Sequence, residues 1–215
     1  MTNPTRTGKA ARWIERSLAL AGMVAVGIWA CSVMRTAVFQ SRASRTFDRT
    51  IENQAVTATP VPMHQGELVG RLVIPHLHLR AMVREGSGED TLDLALGHIP
   101  GTAFPGQRGN VGIAGHRDTL FRGLRKIAKD DRILFQTLSG SYLYQVETTA
   151  IVRPQDVAVL DAGDTPEMTL VTCYPFRYVG PAPRRFVVKA RLVCPPGATP
   201  ASPVSRPEAL TRQLP

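Results

Sequence analysis

Thr169-Leu-Val-Thr-Cys-Tyr-Pro-Phe176 sets one cysteine at the boundary between a strand and a loop. Thr169 to Thr172 are β-branched or aliphatic and read as a short strand. Pro175, Gly180, Pro181 and Pro183 then stop regular structure, so the thiol of Cys173 is expected at a strand end facing irregular chain. The chain recovers a strand at residues 185–193. Upstream, Asn110-Val-Gly-Ile-Ala-Gly-His-Arg-Asp118 is a second strand ending in a polar side chain, with His116 at the same kind of position as Cys173. A sheet that pairs these strands would let the two side chains meet.

Strand parity sharpens this pattern, because alternate residues of a strand face opposite sides. Gly112, Ala114 and His116 share one face, and their small neighbours are expected to leave an open groove beside the imidazole. In the last strand Phe186, Val188, Ala190 and Leu192 should face the core. Arg185 then points away from it, whereas Arg184 has the core parity if the strand extends that far.

Outward from these runs, residues 68–74 and 79–83 are strand-like, and 90–96 place apolar side chains at helical spacing. Residues 97–102 and 104–109 read as turn-rich connections, and 120–124 as a helical turn. Residues 132–138 and 142–152, joined through Ser139-Gly140, read as a hairpin. Residues 153–159 are a connection. Short strands at this spacing with little helix imply an all-β barrel or sandwich.

Length and charge narrow the class. The 215 residues allow one globular domain with some excess. The net charge of +9 is uneven: residues 1–49 hold eight basic against two acidic side chains, leaving 18 against 15 elsewhere. The excess therefore flanks an apolar segment, and the folded part carries no aromatic-interleaved basic stripe of the kind that binds nucleic acid. A membrane surface is the better partner.

That apolar segment runs without charge from Ser17 to Met34, about long enough to cross a bilayer as one helix. Trp13 and Trp29 sit near its ends, where amphipathic rings favour the interface. Trp29 before Ala30 and Arg35 after the segment fit a cleavage site poorly, so an uncleaved anchor is expected. Residues 1–16 are then expected as a basic tail, 17–34 as the transmembrane anchor and 35–66 as a juxtamembrane stalk with one helix near 39–54. Residues 67–194 are expected to form the folded domain and 195–215 a disordered, Pro-rich tail. Arg35, Arg42, Arg45 and Arg49 follow the segment as densely as basic residues precede it, so the positive-inside rule does not orient it.

Three cysteines cannot all pair, and Cys31 lies within the apolar segment. A last strand reaching Cys194 carries it about 30 Å from the loop end where Cys173 sits, at ~3.3 Å per residue. A disulfide needs Cα atoms within roughly 7 Å, so Cys173 is expected as a free thiol.

Ala114-Gly-His116, Thr169-Leu-Val-Thr-Cys173 and Arg185-Phe186 resemble the three signatures of the sortase transpeptidases. The run Thr172-Cys-Tyr-Pro-Phe176 with Val179-Gly-Pro-Ala-Pro-Arg-Arg-Phe186 is most similar to the class D sortases, and the resemblance covers roughly residues 67–192. It implies an eight-stranded closed barrel with a few short helices behind an N-terminal transmembrane helix, with residues 67–194 as a catalytic domain on the outer side of the cell membrane and residues 1–16 as a cytoplasmic tail. Peptide cleavage at a cysteine needs a thiolate, a proton donor for the departing amine and a positive group where the carbonyl oxygen gains charge. Cys173, His116 and Arg185 take those roles in order, with no cofactor and no metal. His98 is read as supporting or structural. Asp118, which could orient His116 or simply form the turn, and Thr172 are further supporting positions. The family forms a thioester with a secreted protein bearing a carboxy-terminal Leu-Pro-any-Thr signal followed by Ala or Gly. An amine of a peptidoglycan precursor or a pilin lysine then resolves it.

Other cysteine chemistries fit less well. A papain-like protease places its cysteine before its histidine and at a helix start. A cysteine phosphatase separates Cys and Arg by five residues, whereas here Arg177 follows too soon, and no Ser-His-Gly-Cys or Cys-x-x-Cys run occurs. Two alternatives stay open: a membrane-anchored binding or assembly module with a merely buried Cys173, and a hydrolytic protease on the same barrel.

Overall fold

In a computed structural model, residues 4–53 and 64–194 are described, with side chains from residue 11. The expected tail and residues 54–63 of the expected stalk lie outside them. Helix α1 (Pro4–Asn53) precedes β1 (Leu68–Ile74), β2 (Leu79–Glu85), a single-turn α2 (Glu89–Leu92), β3 (Leu96–His98) and β4 (Gly109–Gly115). The hairpin β5 (Arg132–Thr137) and β6 (Gly140–Val152), then β7 (Pro166–Tyr174) and β8 (Arg184–Cys194), complete the chain.

The strands close into a barrel in the order β1-β2-β3-β4-β7-β8-β6-β5, as the all-β expectation required. Closure removes the open strand edges that would otherwise invite foreign pairing. The inward residues alternate along each strand and meet in one core: Leu72 and Ile74 of β1, Val111 and Ile113 of β4, Met168 and Leu170 of β7, Val188 and Ala190 of β8. Phe186 and Leu192 pack against that core from β8, in keeping with the parity expected for this strand.

Leu96, read at the end of a helical run, and residues 97–98, read as turn-rich, form a short strand. Its parallel pairing with β2 and antiparallel pairing with β4 make it the link between the two. Gly97 allows this because a Cβ there would strike the carbonyl oxygen of Gly86. A short run whose ladder depends on distant partners carries little local signal.

The helix expected near 39–54 is present as the end of a longer one. The helix does not start afresh near Phe39; it continues unbroken from the apolar segment and its last turns pack on the barrel. Phe47 is 1% exposed, under the guanidinium of Arg71 at 5.2 Å. Arg71 also donates to Asp48 at 2.6 Å. Gln40 accepts from the Met82 N–H and donates to the Leu94 carbonyl, both at 2.8 Å, and Thr36 donates to the Asp93 carbonyl at 2.7 Å. The one helix among the described residues that is long and apolar enough to cross a membrane is thus continuous with a clamp on the barrel.

Candidate active site

Three adjacent strands carry the three residues. In the β4–β7 ladder Gly115 lies opposite Thr172, which brings the next positions, His116 and Cys173, side by side at the strand ends. In the β7–β8 ladder Cys173 is paired with Arg185. Thr172 and Gly115 have the core parity, so His116, Cys173 and Arg185 all project from the opposite, outer face. Cys173 is a free, half-buried thiol.

Thr172 faces inward, buried, with its hydroxyl donating to the Gly115 carbonyl at 2.7 Å. It ties β7 to β4 one residue below the row. Arg184 pairs with Tyr174 and is exposed at the rim. Arg185 is half-buried, and its Nη1 donates to the Ala182 and Arg184 carbonyls at 3.3 and 3.1 Å. Its Nε and Nη2 make no hydrogen bond among the described residues, so a fork of donors stays available beside the thiol.

Around His116 the groove is narrower than small neighbours suggested. Gly112 lies under Ile99 and Thr102, which occupy the space a side chain would fill. The carboxylate nearest His116 is that of Asp93, with Oδ1 3.7 Å from Nε2, beyond hydrogen-bonding range but close enough for electrostatic attraction. Asp118 sits exposed in the turn after His116. Sequence reasoning did not reach Asp93, because the loop that brings it there follows a single helical turn.

His98 is buried at 1% exposure. Its Nδ1 lies 2.6 Å from Glu85 Oε2, its Nε2 2.9 Å from the Ala103 carbonyl, and its ring stacks on Phe104 at 4.6 Å. A carbonyl only accepts, so the contact at Nε2 is satisfied when that nitrogen donates, while Nδ1 faces the carboxylate. Thr102 Oγ1 donates to Ile99 and accepts from the Gly112 N–H, fastening the same segment over β4. His98 therefore holds up the wall of the groove from behind.

The connection between β7 and β8 completes the site. Phe176 packs edge-on against Phe186 at 5.3 Å and Tyr174 at 6.0 Å, closing the barrel mouth. Arg117 reaches across from the residue after His116 to the carbonyls of Pro175, Tyr178 and Gly180 at 3.1, 2.8 and 3.3 Å. No group of three or more His, Cys, Asp or Glu suited to a metal occurs among the described residues.

A closed barrel with a thiol, an imidazole and a guanidinium in one row on three neighbouring strands is the layout of a cysteine-dependent acyl-transfer enzyme. Comparison with known proteins makes the class specific. The family model of the Sortase domain matches residues 72–193. Sortase D of Bacillus subtilis is 31% identical over 142 residues, spanning 66% of this chain and 72% of that protein. Among solved structures, a Sortase D5 transpeptidase of Clostridium perfringens superposes with a TM-score of 0.61 at 26% identity, covering 75% of this chain and 99% of that one. The SrtA sortase of Actinomyces oris gives 0.57 at 28% identity, with 65% and 87% covered. The chain belongs to the sortase family and is a cysteine transpeptidase.

Proposed function

We propose that the enzyme cleaves secreted proteins at a carboxy-terminal Leu-Pro-any-Thr-(Ala/Gly) signal and joins them to an amine of a peptidoglycan precursor or a pilin lysine. The Cys173 thiolate attacks the threonine carbonyl carbon, forming a C–S bond. The C–N bond to the next residue breaks as His116 gives a proton to the departing amine. The acceptor amine then attacks the thioester carbonyl and loses its proton to His116, and the C–S bond breaks to regenerate the thiolate. The free donors of Arg185 meet the carbonyl oxygen while it is negative in both steps.

The observation that carries this reading is the shared row: a free thiol paired in register with a guanidinium whose fork is only partly used, and a histidine at the next strand end. The apolar helix serves as a single-pass anchor with the barrel on the outer side of the cell membrane. Incubation with a fluorogenic Leu-Pro-any-Thr-Ala peptide and a glycyl amine tests the reaction by mass spectrometry. A thioester adduct on Cys173 and an amine-capped product are expected. An enzyme that makes only the hydrolysed acid in excess amine would be a protease, and one that makes neither product would lack the proposed specificity.

A further inference from the structure

The segment from Pro175 to Pro183 joins the nucleophile strand to the arginine strand, yet it holds no backbone-to-backbone hydrogen bond outside the ladders among the described residues. Pro175, Pro181 and Pro183 have no N–H to give. What restrains its middle is a single side chain. The Arg117 guanidinium donates through Nη1 to Pro175 and through Nη2 to Tyr178 and Gly180, with its carbon 5.8 Å from the Tyr178 ring centre. Phe176 secures the start of the loop in the barrel mouth, and Arg185 holds its end through Ala182. Between those points Val179 is 100% exposed at the tip.

We propose that Arg117 is a positioning residue that fixes this loop as one wall of the peptide groove. The inference rests on the transpeptidase reading and adds a residue to it. Arg117 is adjacent to His116 in the chain and its carbonyl partners begin two residues after Cys173, so it sets the loop relative to both reacting groups. Planarity matters more than charge: one fork spans three carbonyls that a lysine ammonium, on its flexible stem, cannot bridge in a fixed geometry. Cys173 and His116 sit on strands whose ladders do not involve Arg117, so their own pairing survives its removal.

The test compares the full chain in detergent with Arg117→Ala and Arg117→Lys. Trypsin cleavage after Arg177, followed by mass spectrometry, reports the loop without reference to any peptide substrate. Alkylation of Cys173 by iodoacetamide reports the thiol alone, and peptide kinetics report the groove. In Arg117→Ala, cleavage after Arg177 should quicken, alkylation should match the parent, and kcat/KM should fall about tenfold or more, chiefly through KM. Arg117→Lys should behave like the alanine variant. Unchanged cleavage after Arg177 overturns the proposal, as does full recovery by lysine, which would make charge the working property. Loss of alkylation in parallel with turnover also overturns it, because Arg117 would then support the whole site. If the parent turns over no sorting peptide, the proposed reaction fails, while the cleavage rates still decide whether Arg117 holds the loop.

Discussion

Cys173 and Arg185 are direct partners in the antiparallel β7–β8 ladder, so thiol and guanidinium stand on the same face by backbone register rather than by loop conformation. Opposed residues of such a ladder have Cβ atoms roughly 4.5–5.5 Å apart. A carbonyl carbon at the sulfur can therefore turn its oxygen toward the arginine without chain movement.

Replacing Cys173 by Ala should abolish both peptide cleavage and amine transfer, and replacing His116 by Ala should reduce them severely. The thiol is only half-buried and the imidazole ends a strand, so neither change should move the thermal midpoint by more than a few degrees. Measurable turnover by purified Cys173→Ala protein would remove the nucleophile assignment.

The two arginines should separate sharply. Arg185→Ala removes the proposed oxyanion donor, a loss that should cost about 10²- to 10³-fold in rate. Arg185→Lys keeps the charge without the fork and should recover little of it. Arg184→Ala, at the exposed rim, should be mild. Steady-state transfer rates decide the matter, and equal losses at both positions would mean that they share the role.

Truncation should show where the folded unit begins. A chain starting at residue 35 keeps the Thr36, Gln40, Phe47 and Asp48 contacts and should be soluble and stable. One starting at residue 54 uncovers Met82 and Arg71 and loses a buried phenyl ring, for which Phe47→Ala alone should cost about 3 kcal/mol. Urea midpoints of the two chains should differ accordingly; identical midpoints would make the helix contact incidental.

His98→Ala should act on stability first. It leaves the Glu85 carboxylate buried opposite nothing, and breaking such a pair costs roughly 3–5 kcal/mol. Activity should follow the folded fraction. A variant of parental stability but lost turnover would instead give His98 a direct part in the chemistry.

High pH supplies a separate check. Burial pushes the Tyr144 phenol from 10.0 up to about 12, against the opposing pull of the Gly106 N–H that it accepts. The folded state thus keeps a proton that the unfolded chain gives up. This contribution is complete below pH 10, shrinks above it and is gone beyond about 12. Denaturant midpoints of Tyr144→Phe should fall less steeply than the parent's across that window.

The placement of the row on its strands was legible because each residue is announced locally. Proline and glycine end the Cys173 strand, and alternation alone puts Arg185 rather than Arg184 on the outer face. The barrel's hairpin at Ser139-Gly140 was legible for the same reason. What escaped depends on distant pairing. Nothing near Asp93 marks it as the neighbour of His116, since that approach is set by a loop pinned under α1. Arg117 lies inside a run singled out for its histidine, but only the folded loop shows three carbonyls converging on it. The barrel contacts of the expected stalk helix were not legible, because Phe47, Asp48 and Gln40 are ordinary amphipathic residues until the barrel gives them partners.

An unbroken helix from the apolar run into the Thr36 and Gln40 clamp behaves as a ruler and an index mark at once. With Ser17–Met34 in a bilayer, Thr36 lies two residues beyond it, about 3 Å of rise. Given the proposed anchor, the working height of Cys173 above the lipid would then be a fixed dimension. So would its compass bearing: inserting one residue between Met34 and Thr36 would lift the barrel by roughly 1.5 Å but swing it by about 100° around the helix axis.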